Sequence, residues 1–384
     1  MYTLLIAIIY LAFISLGLPD SLLGASWPTI HEEMALPISY MGIISTLISS
    51  GTILSSLLSE RIIKKIGTKW VVTFSVLITS MALFGFSVAN SFAILCLIAI
   101  PYGLGAGAID AALNNYVALH YSSRHMSWLH CFWGVGTIIS PFVMSSAMAR
   151  DGWQAGYRTV SVMQLVIFVI LLIALPLWRV NSHKEQKSED TKLLGIKGAL
   201  KIRGVPYLLL GFMAYCATES TAMLWASSYL EESIGLTKTE AASFGALFFI
   251  GITAGRFLSG FISERMGDGK MIRIGSFIAF IGVILIAFPV GILPIIGYVI
   301  IGLGCAPIYP SIIHSTPTNF GAENSGAIIG IQMASAYLGS LAMPPLFGIL
   351  AEYISIKLLP IYLGVLIILM FIMLTKTERV CSEK

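Results

Sequence analysis

The sequence predicts an all-α membrane protein with twelve transmembrane helices in two pseudo-symmetric bundles of six. Three observations support this fold class. The composition is that of a chain embedded in lipid, apolar segments long enough to cross a bilayer occur twelve times, and the second half repeats features of the first at an offset of about 200 residues.

The composition separates this chain from soluble proteins. Of its 384 residues, 57% are hydrophobic and 11% are charged, and the mean hydropathy is +0.88. A soluble domain is roughly 45–50% apolar and about 25% charged. The five cysteines show no paired spacing, so neither a disulfide framework nor a metal site is indicated. The N-terminal apolar run lacks a basic region and a small-residue cleavage site, which favours a first span over a signal peptide.

Twelve segments have the roughly 20 apolar residues needed to cross about 30 Å of hydrocarbon. The longest polar stretch, residues 181–203, falls after the sixth and predicts a linker between an N-terminal bundle (1–180) and a C-terminal bundle (204–384). The predicted spans are residues 3–26, 38–60, 70–89, 92–119, 127–148, 158–179, 204–230, 239–263, 272–289, 292–314, 323–349 and 354–375.

The distribution of basic residues predicts the orientation. With the N-terminus inside the cell, 18 of the 23 Lys and Arg residues fall in cytoplasmic loops or termini and four fall on the other side. Because cytoplasmic loops carry an excess of Lys and Arg, both termini and the linker are expected to be cytoplasmic in a multi-pass plasma-membrane protein. The net charge of +4 therefore needs no nucleic-acid partner.

An internal repeat supports two homologous halves. Residues 51–69 align with residues 251–270, and the Gly-Leu-Gly of residues 103–105 matches that of residues 302–304. Repeats with a substrate site between them are typical of transporters. The matched single residues are Gly51 with Gly251, Gly67 with Gly267, Gly136 with Gly339 and Pro141 with Pro344.

Polar residues on one face of the fourth span predict a cavity wall. A carboxylate at the centre of an inserted helix costs on the order of 3 kcal/mol, so one that persists normally faces protein or water. The alternative for Asp110 is a structural pairing with Asn114. The face carries residues at spacings of four, three and four, namely Gly103, Gly107, Asp110 and Asn114.

A similar stripe on the fifth span predicts the opposite wall. His130 is its ionisable residue, and Gly134, Thr137 and Pro141 follow at helical spacing. We expect His130 and Asn114 to bind solute hydroxyls, although a lone histidine can also be a core residue.

Each half also has one acid in its first helix. Asp20 follows Pro19, which should kink the first span, and Glu219 occupies the matching place in the seventh. Asp20, Asp110 and Glu219 are the predicted proton-coupling residues. Glu219 could instead be a buried acid bonded to Tyr215 or Ser220.

Other candidates have equally simple structural alternatives. Trp133 and Trp225 could stack on a sugar ring or pack between helices. Gln332 could bind substrate or hold two helices together.

The end of the eighth span resembles the loop motif of the major facilitator superfamily. The motif reads G-R-x-x-x-G-x-x-x-x-R-x-G and comprises Gly255, Arg256, Gly260, Arg265 and Gly267. The resemblance implies the major facilitator fold and a cytoplasmic gating role for Arg256. The nearest acids in sequence are Glu264 and Asp268, but its partner could also come from another helix.

Within that superfamily, the chain resembles the fucose permease-like sugar:proton symporters. The matching stretches are GAIDAALNNYV, SWLHCFWGVGTIISP and LGLPDSLLG. The resemblance implies that Asp20 is protonated during transport, that Asp110 and Asn114 take the positions of an acid and an Asn on the fourth helix, and that His130 matches the polar position of the fifth.

The sequence therefore predicts a monomeric secondary transporter that moves a small polar solute, a monosaccharide, with protons. The alternative is a proton-driven antiporter that exports drugs or other hydrophobic or cationic compounds. A membrane sensor or scaffold has no need for acids in three helices. Nucleotide-driven transport is not indicated, because the chain has no G-x-x-x-x-G-K-[ST] phosphate loop. An enzyme is not expected, because no Ser/His or metal-ligand constellation faces one cavity. The proton gradient is the expected energy source, with no cofactor.

Overall fold

The computed structural model describes residues 2–181, 194–245 and 247–383. Within these ranges the regular structure is entirely helical, as predicted. Three short 3-10 helices lie at Ile38–Tyr40, Leu175–Asn181 and Ile356–Leu358. The α-helices are α1 (Tyr2–Gly17), α2 (Leu22–Glu33), α3 (Met41–Ile66), α4 (Thr68–Val88), α5 (Phe92–His120), α6 (Ser123–Ala174), α7 (Gly195–Lys201), α8 (Val205–Ile234), α9 (Lys238–Gly245), α10 (Leu247–Met266), α11 (Asp268–Ala287), α12 (Leu293–Cys305), α13 (Ile308–Phe320), α14 (Ala322–Tyr353) and α15 (Leu359–Ser382).

The predicted spans fall on these helices. In the described part of the chain, 10 helical segments are long and apolar enough to cross a membrane. One of them, Ser123–Trp178, contains both the fifth and the sixth predicted spans and bends at Gly152, whose φ is 82°. The seventh predicted span lies on α8, a helix of 30 residues that is not among the 10. The predicted all-α membrane fold is therefore confirmed.

The first and tenth predicted spans are each divided into two helices at a proline. The first is interrupted between α1 and α2 at Pro19, where the Asp20 N–H donates to Gly17 O at 3.2 Å in a tight turn. Proline lacks an N–H and clashes with the preceding turn, so the predicted kink at Pro19 appears as a break. The tenth is interrupted between α12 and α13 at Pro307, a break that the apolar pattern did not reveal.

In the first half of the chain, α3 and α5 cross at glycines. A Cβ atom on Gly51 would lie 2.9 Å from Ile100 O, and one on Gly103 would lie 2.1 Å from Ile48 O. Both distances are shorter than real Cβ contacts allow. Glycine at these positions lets the two backbones touch, as is common between membrane helices.

In the second half, α10 and α12 cross in the same way. A Cβ atom on Gly251 would lie 2.5 Å from Val299 O, and one on Gly302 would lie 2.5 Å from Phe248 O. Each residue of this crossing lies 199 or 200 residues after its counterpart in the first crossing. Gly251 corresponds to Gly51, and Gly302 corresponds to Gly103. The internal repeat is thus a repeat of helix packing as well as of sequence.

The chain divides into two compact units. The first contains Met1–Tyr116 and Phe132–Gly195, and the second contains Val117–Cys131 and Ile196–Lys384. Of the predicted linker, residues 182–193 lie outside the described residues. The short helix α7 lies in the final part of the linker. The Glu60 carboxylate accepts hydrogen bonds from Gly195 N, at the first residue of α7, at 3.2 Å and from the preceding Leu194 N at 3.0 Å.

Candidate functional site

In the first unit, Asp20 lies in the break between α1 and α2, where its side chain is exposed. Its Oδ2 accepts a hydrogen bond from Trp133 Nε1 at 2.7 Å, and its Oδ1 accepts one from Tyr102 Oη at 3.3 Å. The break thus presents a carboxylate held by two neutral donors, one from α6 and one from α5. Such a carboxylate can take up a proton without leaving a charged partner unpaired.

The Trp133 contact depends on a close approach of α1 and α6. A Cβ atom on Gly17, the last residue of α1, would lie 2.1 Å from Trp133 O. The two backbones therefore touch one turn before Asp20, and this places the indole beside the carboxylate. Trp133, predicted to bind solute, is in this structure a hydrogen-bond donor to a predicted proton-coupling residue.

The second predicted acid of this unit, Asp110, is buried with Asn114. Their side chains are 4% and 0% exposed, and Asn114 Nδ2 donates to Asp110 Oδ1 at 2.7 Å and to Asp110 O at 3.0 Å. The structural pairing considered from the sequence is therefore present. Asp110 also lies close enough to Asp20 for their negative charges to interact.

In the second unit, Glu219 and Arg256 form an ion pair between α8 and α10. Arg256 Nη2 lies 3.4 Å from Glu219 Oε1, and the two side chains are 3% and 18% exposed. Glu219 Oε2 accepts a hydrogen bond from Tyr215 Oη, which also donates to Cys305 O at 3.1 Å. The acid that contacts Arg256 thus comes from another helix, and it is the predicted proton-coupling acid of the second half.

His130 belongs to the same cluster. Its side chain is buried, its ring packs edge-on against Tyr309 with centroids 4.5 Å apart, and it lies within electrostatic range of Arg256. Tyr309 in turn lies near the Arg256 guanidinium. An imidazole and a phenol therefore border the buried ion pair.

Trp225 and Gln332 take part in contacts between helices. Trp225 Nε1 donates to Pro344 O at 3.0 Å. Gln332 is 0% exposed, and its Oε1 accepts from Thr316 Oγ1 at 3.0 Å. Both residues thus make the contacts between helices that were the structural alternative to solute binding. Their roles in solute binding stay predictions.

A cavity of about 240 Å³ lies elsewhere in the second unit. Its lining is mixed, with charged residues such as Asp268, Arg273 and Glu378 and apolar residues such as Leu208 and Phe371, and none of the predicted site residues borders it. In the described part of the chain, no three His, Cys, Asp or Glu side chains are grouped as metal ligands would be.

Two tyrosines were missed by the sequence argument. Tyr102 contacts Asp20, and Tyr309 contacts His130. Tyr309 could have been found from the internal repeat. The two Gly-Leu-Gly segments are 199 residues apart, and the same offset places Tyr309 at the position that corresponds to Asp110. Tyr102 had none, since its contact with Asp20 depends on how α5 packs.

Comparison with known proteins gives one family. The sequence model of the Major Facilitator Superfamily matches residues 9–294 and 207–383. The glucose/mannose transporter GlcP of Bacillus subtilis is 24% identical over 315 residues, which cover 78% of this chain and 77% of GlcP. The probable nitrate transporter NarT of Staphylococcus carnosus is 22% identical over 333 residues, which cover 85% of this chain and 83% of NarT.

Solved structures of similar fold include FucP, the fucose:proton symporter of E. coli. The FucP crystal structure superposes with a TM-score of 0.80, covering 97% of this chain and 98% of FucP at 15% sequence identity. At this identity the match concerns the fold alone.

Proposed function

Because the chain belongs to the major facilitator superfamily, we propose that it is a secondary active transporter. It moves a small polar solute, a monosaccharide or a close derivative, into the cell together with protons. It works by alternating access, in which the solute site opens to one side of the membrane at a time. The proton gradient supplies the energy, and no cofactor is required. The protein acts as a monomer in the cell membrane with both termini in the cytoplasm.

The observation that carries this proposal is the environment of Asp20. A carboxylate exposed in a helix break can exchange protons with water, and its two donors, Trp133 and Tyr102, are neutral groups. Removal of water around a carboxyl group favours its protonated form. Closure of the site over a bound solute would therefore retain the proton, and reopening to the cytoplasm would release it.

The relatives are transporters of several small solutes. FucP is described as a fucose:proton symporter and GlcP as a glucose/mannose transporter, whereas NarT is named a probable nitrate transporter. The symport of a monosaccharide is favoured by the group resemblance of Asp20, Asp110 and Asn114.

The experiment is uptake into proteoliposomes that contain the purified protein. Radiolabelled glucose, mannose, fucose and a series of sugar acids are supplied outside, with the outside more acidic than the lumen. We expect at least one of them to accumulate above its external concentration, and a protonophore to abolish the accumulation. If none accumulates, and proton-driven efflux of hydrophobic cations occurs instead, the protein is an antiporter and the proposal is wrong.

A further inference from the structure

The two hydrogen-bond donors of Asp20 differ in their chemistry. Trp133 has an indole N–H, which can donate but cannot accept, whereas the Tyr102 hydroxyl can do either. They bond different oxygens of the carboxylate. Trp133 Nε1 lies 2.7 Å from Oδ2, and Tyr102 Oη lies 3.3 Å from Oδ1. The carboxylate therefore has one donor that is fixed in its role and one that can reverse it.

The lengths of the two bonds indicate which oxygen takes up a proton. A distance of 2.7 Å is at the short end of the range for an N–H donor, whereas hydroxyl-to-carboxylate bonds are usually about 2.5–2.7 Å long. The Tyr102 bond, at 3.3 Å, is therefore a weak one. A proton on Oδ1 replaces this weak bond by one in which Tyr102 accepts. A proton on Oδ2 would instead weaken the acceptor of the indole, which cannot reverse.

Protonation of Oδ1 changes the direction of the Tyr102 hydroxyl. In the ionised state Tyr102 donates to Asp20, and in the protonated state it accepts from the new O–H of Asp20. The phenol keeps its own proton throughout, and the added proton comes from water at the exposed break between α1 and α2. Because the Tyr102 side chain is 5% exposed, its redirected hydrogen needs a new acceptor.

Two other titratable groups lie near this pair. Asp110 on α5 is within electrostatic range of Asp20, and Tyr157 on α6 is within electrostatic range of Tyr102. Tyr157 Oη lies 3.2 Å from Ser26 Oγ, so it takes part in a contact with α2. A solute that binds against Asp20 in the exposed break would meet the carboxyl group and the Tyr102 hydroxyl together.

We propose that Tyr102 couples the Asp20 proton to the solute, because it offers its hydroxyl hydrogen to a solute oxygen only when Asp20 is protonated. This inference rests on the proposed proton-coupled transport and deepens it by naming the residue that makes solute binding depend on the proton. The solute must present a hydroxyl, ring or carbonyl oxygen as acceptor, which every monosaccharide does. By linkage, the bound solute in turn stabilises the proton on Asp20.

Release follows the same steps in reverse. When Asp20 loses its proton to cytoplasmic water, Oδ1 regains its negative charge and accepts the Tyr102 hydrogen again. The solute thus loses a hydrogen bond when the proton leaves. Trp133 donates to Oδ2 in both states, so it is a positioning residue that holds the carboxyl group in place.

The first test needs no solute. Infrared difference spectra of the purified protein are recorded as the pH is lowered from 8 to 5.5. In the wild type we expect a protonated-carboxyl band that Asp20→Asn lacks, together with a change in a tyrosine C–O band that Tyr102→Phe lacks. Tyr157→Phe, which removes the neighbouring phenol, is the matched control and should keep both signals. An Asp20 band without a Tyr102 signal would overturn the proposal, as would loss of the tyrosine signal in Tyr157→Phe.

The same spectra identify the protonated oxygen. With the proton on Oδ1, the carbonyl oxygen is Oδ2, and the hydrogen bond from the indole lowers the C=O stretching frequency. Trp133→Phe should therefore raise this frequency, whereas Tyr102→Phe should leave it close to that of the wild type. A larger rise in Tyr102→Phe than in Trp133→Phe would place the proton on Oδ2 and overturn the proposal.

The second test is the pH dependence of sugar binding. Binding of glucose, mannose and fucose is measured by calorimetry over the same pH range. In the wild type we expect at least one of them to bind more tightly as the pH falls, with uptake of one proton. Tyr102→Phe should weaken this binding about twofold to tenfold at pH 5.5, because one hydrogen bond is lost, and should have little effect at pH 8. Equal weakening at both pH values would show a structural role alone and overturn the proposal.

The results also separate this inference from the proposed function. Tyr102→Phe should accumulate sugar poorly in proteoliposomes under a pH gradient. Accumulation that Asp20→Asn abolishes and Tyr102→Phe leaves intact would keep proton symport and overturn the role of Tyr102. If the wild type shows no Asp20 band at pH 5.5, Asp20 is not the proton carrier, and the proposed mechanism of coupling is wrong together with this inference.

Discussion

Removal of one partner of the Arg256–Glu219 ion pair should destabilise the protein much more than removal of both. In Arg256→Gln the Glu219 carboxylate loses its counter-charge while remaining bonded to Tyr215 between packed helices. Breaking a buried pair in this way costs about 3–5 kcal/mol. Because Glu219 is 18% exposed and water can reach it, we expect the lower end of that range.

The double variant Arg256→Gln/Glu219→Gln has two neutral amides at the same positions. Replacement of a whole buried ion pair is often neutral, so the free energy of unfolding should return to within about 1 kcal/mol of the wild type. The exposed pair Arg273–Glu378, at 47% and 46% exposure, provides the matched control. Arg273→Gln should change the stability by about 1 kcal/mol or less.

The assay is equilibrium unfolding of the detergent-solubilised protein, followed by tryptophan fluorescence. The four proteins are measured in one detergent at one pH, since both affect the reference state. If Arg256→Gln is no less stable than Arg273→Gln, the ion pair is not buried as described. If the double variant is as unstable as the single one, the loss comes from packing of the arginine side chain and not from an uncompensated charge.

Two further predictions test the fold and the topology. Gly103→Ala and Gly302→Ala should each lower the free energy of unfolding by about 1–3 kcal/mol, because the added Cβ would lie 2.1 Å and 2.5 Å from a backbone oxygen. Gly24→Ala, with nothing within 4 Å, should be neutral, and equal stability of all three would refute the helix crossings. In a variant without native cysteines, Val290→Cys should react with an impermeant thiol reagent in intact cells and Ser382→Cys only after permeabilisation, and the reverse pattern would refute the orientation.

The fold was largely predictable because membrane spans are encoded locally. A stretch of about 20 apolar residues must be helical in lipid, so length and hydropathy alone define most spans. Pro19 predicted a bend through its missing N–H, and the structure has a break there. The sequence showed the glycine pairs as a repeat. It did not show that they lie at helix crossings, because this depends on which helices pack together.

The site was only partly predictable because its contacts join distant helices. The Asp110–Asn114 hydrogen bond follows from a spacing of four on one helix. By contrast, the contact between Arg256 and Glu219 spans 37 residues and that between Trp133 and Asp20 spans 113, and no local pattern encodes either. The sequence singled out these acids but could not assign their partners.

We propose that Asp20 carries the coupling proton. Asp20→Asn keeps the shape of the side chain and an acceptor for Trp133 or Tyr102 but cannot titrate, so it mimics a permanently protonated carrier. Such a carrier should still exchange solute for solute. Asp110→Asn is expected to impair both exchange and accumulation, because this carboxylate is also predicted to contact solute. Asp151→Asn, at an exposed acid, is the matched control.

The measurement that tests this claim most directly is a paired assay of Asp20→Asn in proteoliposomes with the solute identified by the uptake screen. Counterflow is measured at equal pH on both sides, and accumulation is measured under an imposed pH gradient. We predict that Asp20→Asn retains counterflow close to that of Asp151→Asn and fails to accumulate solute. Full accumulation by Asp20→Asn would contradict the account by removing Asp20 from the proton path, and loss of counterflow would instead make it a solute-binding residue.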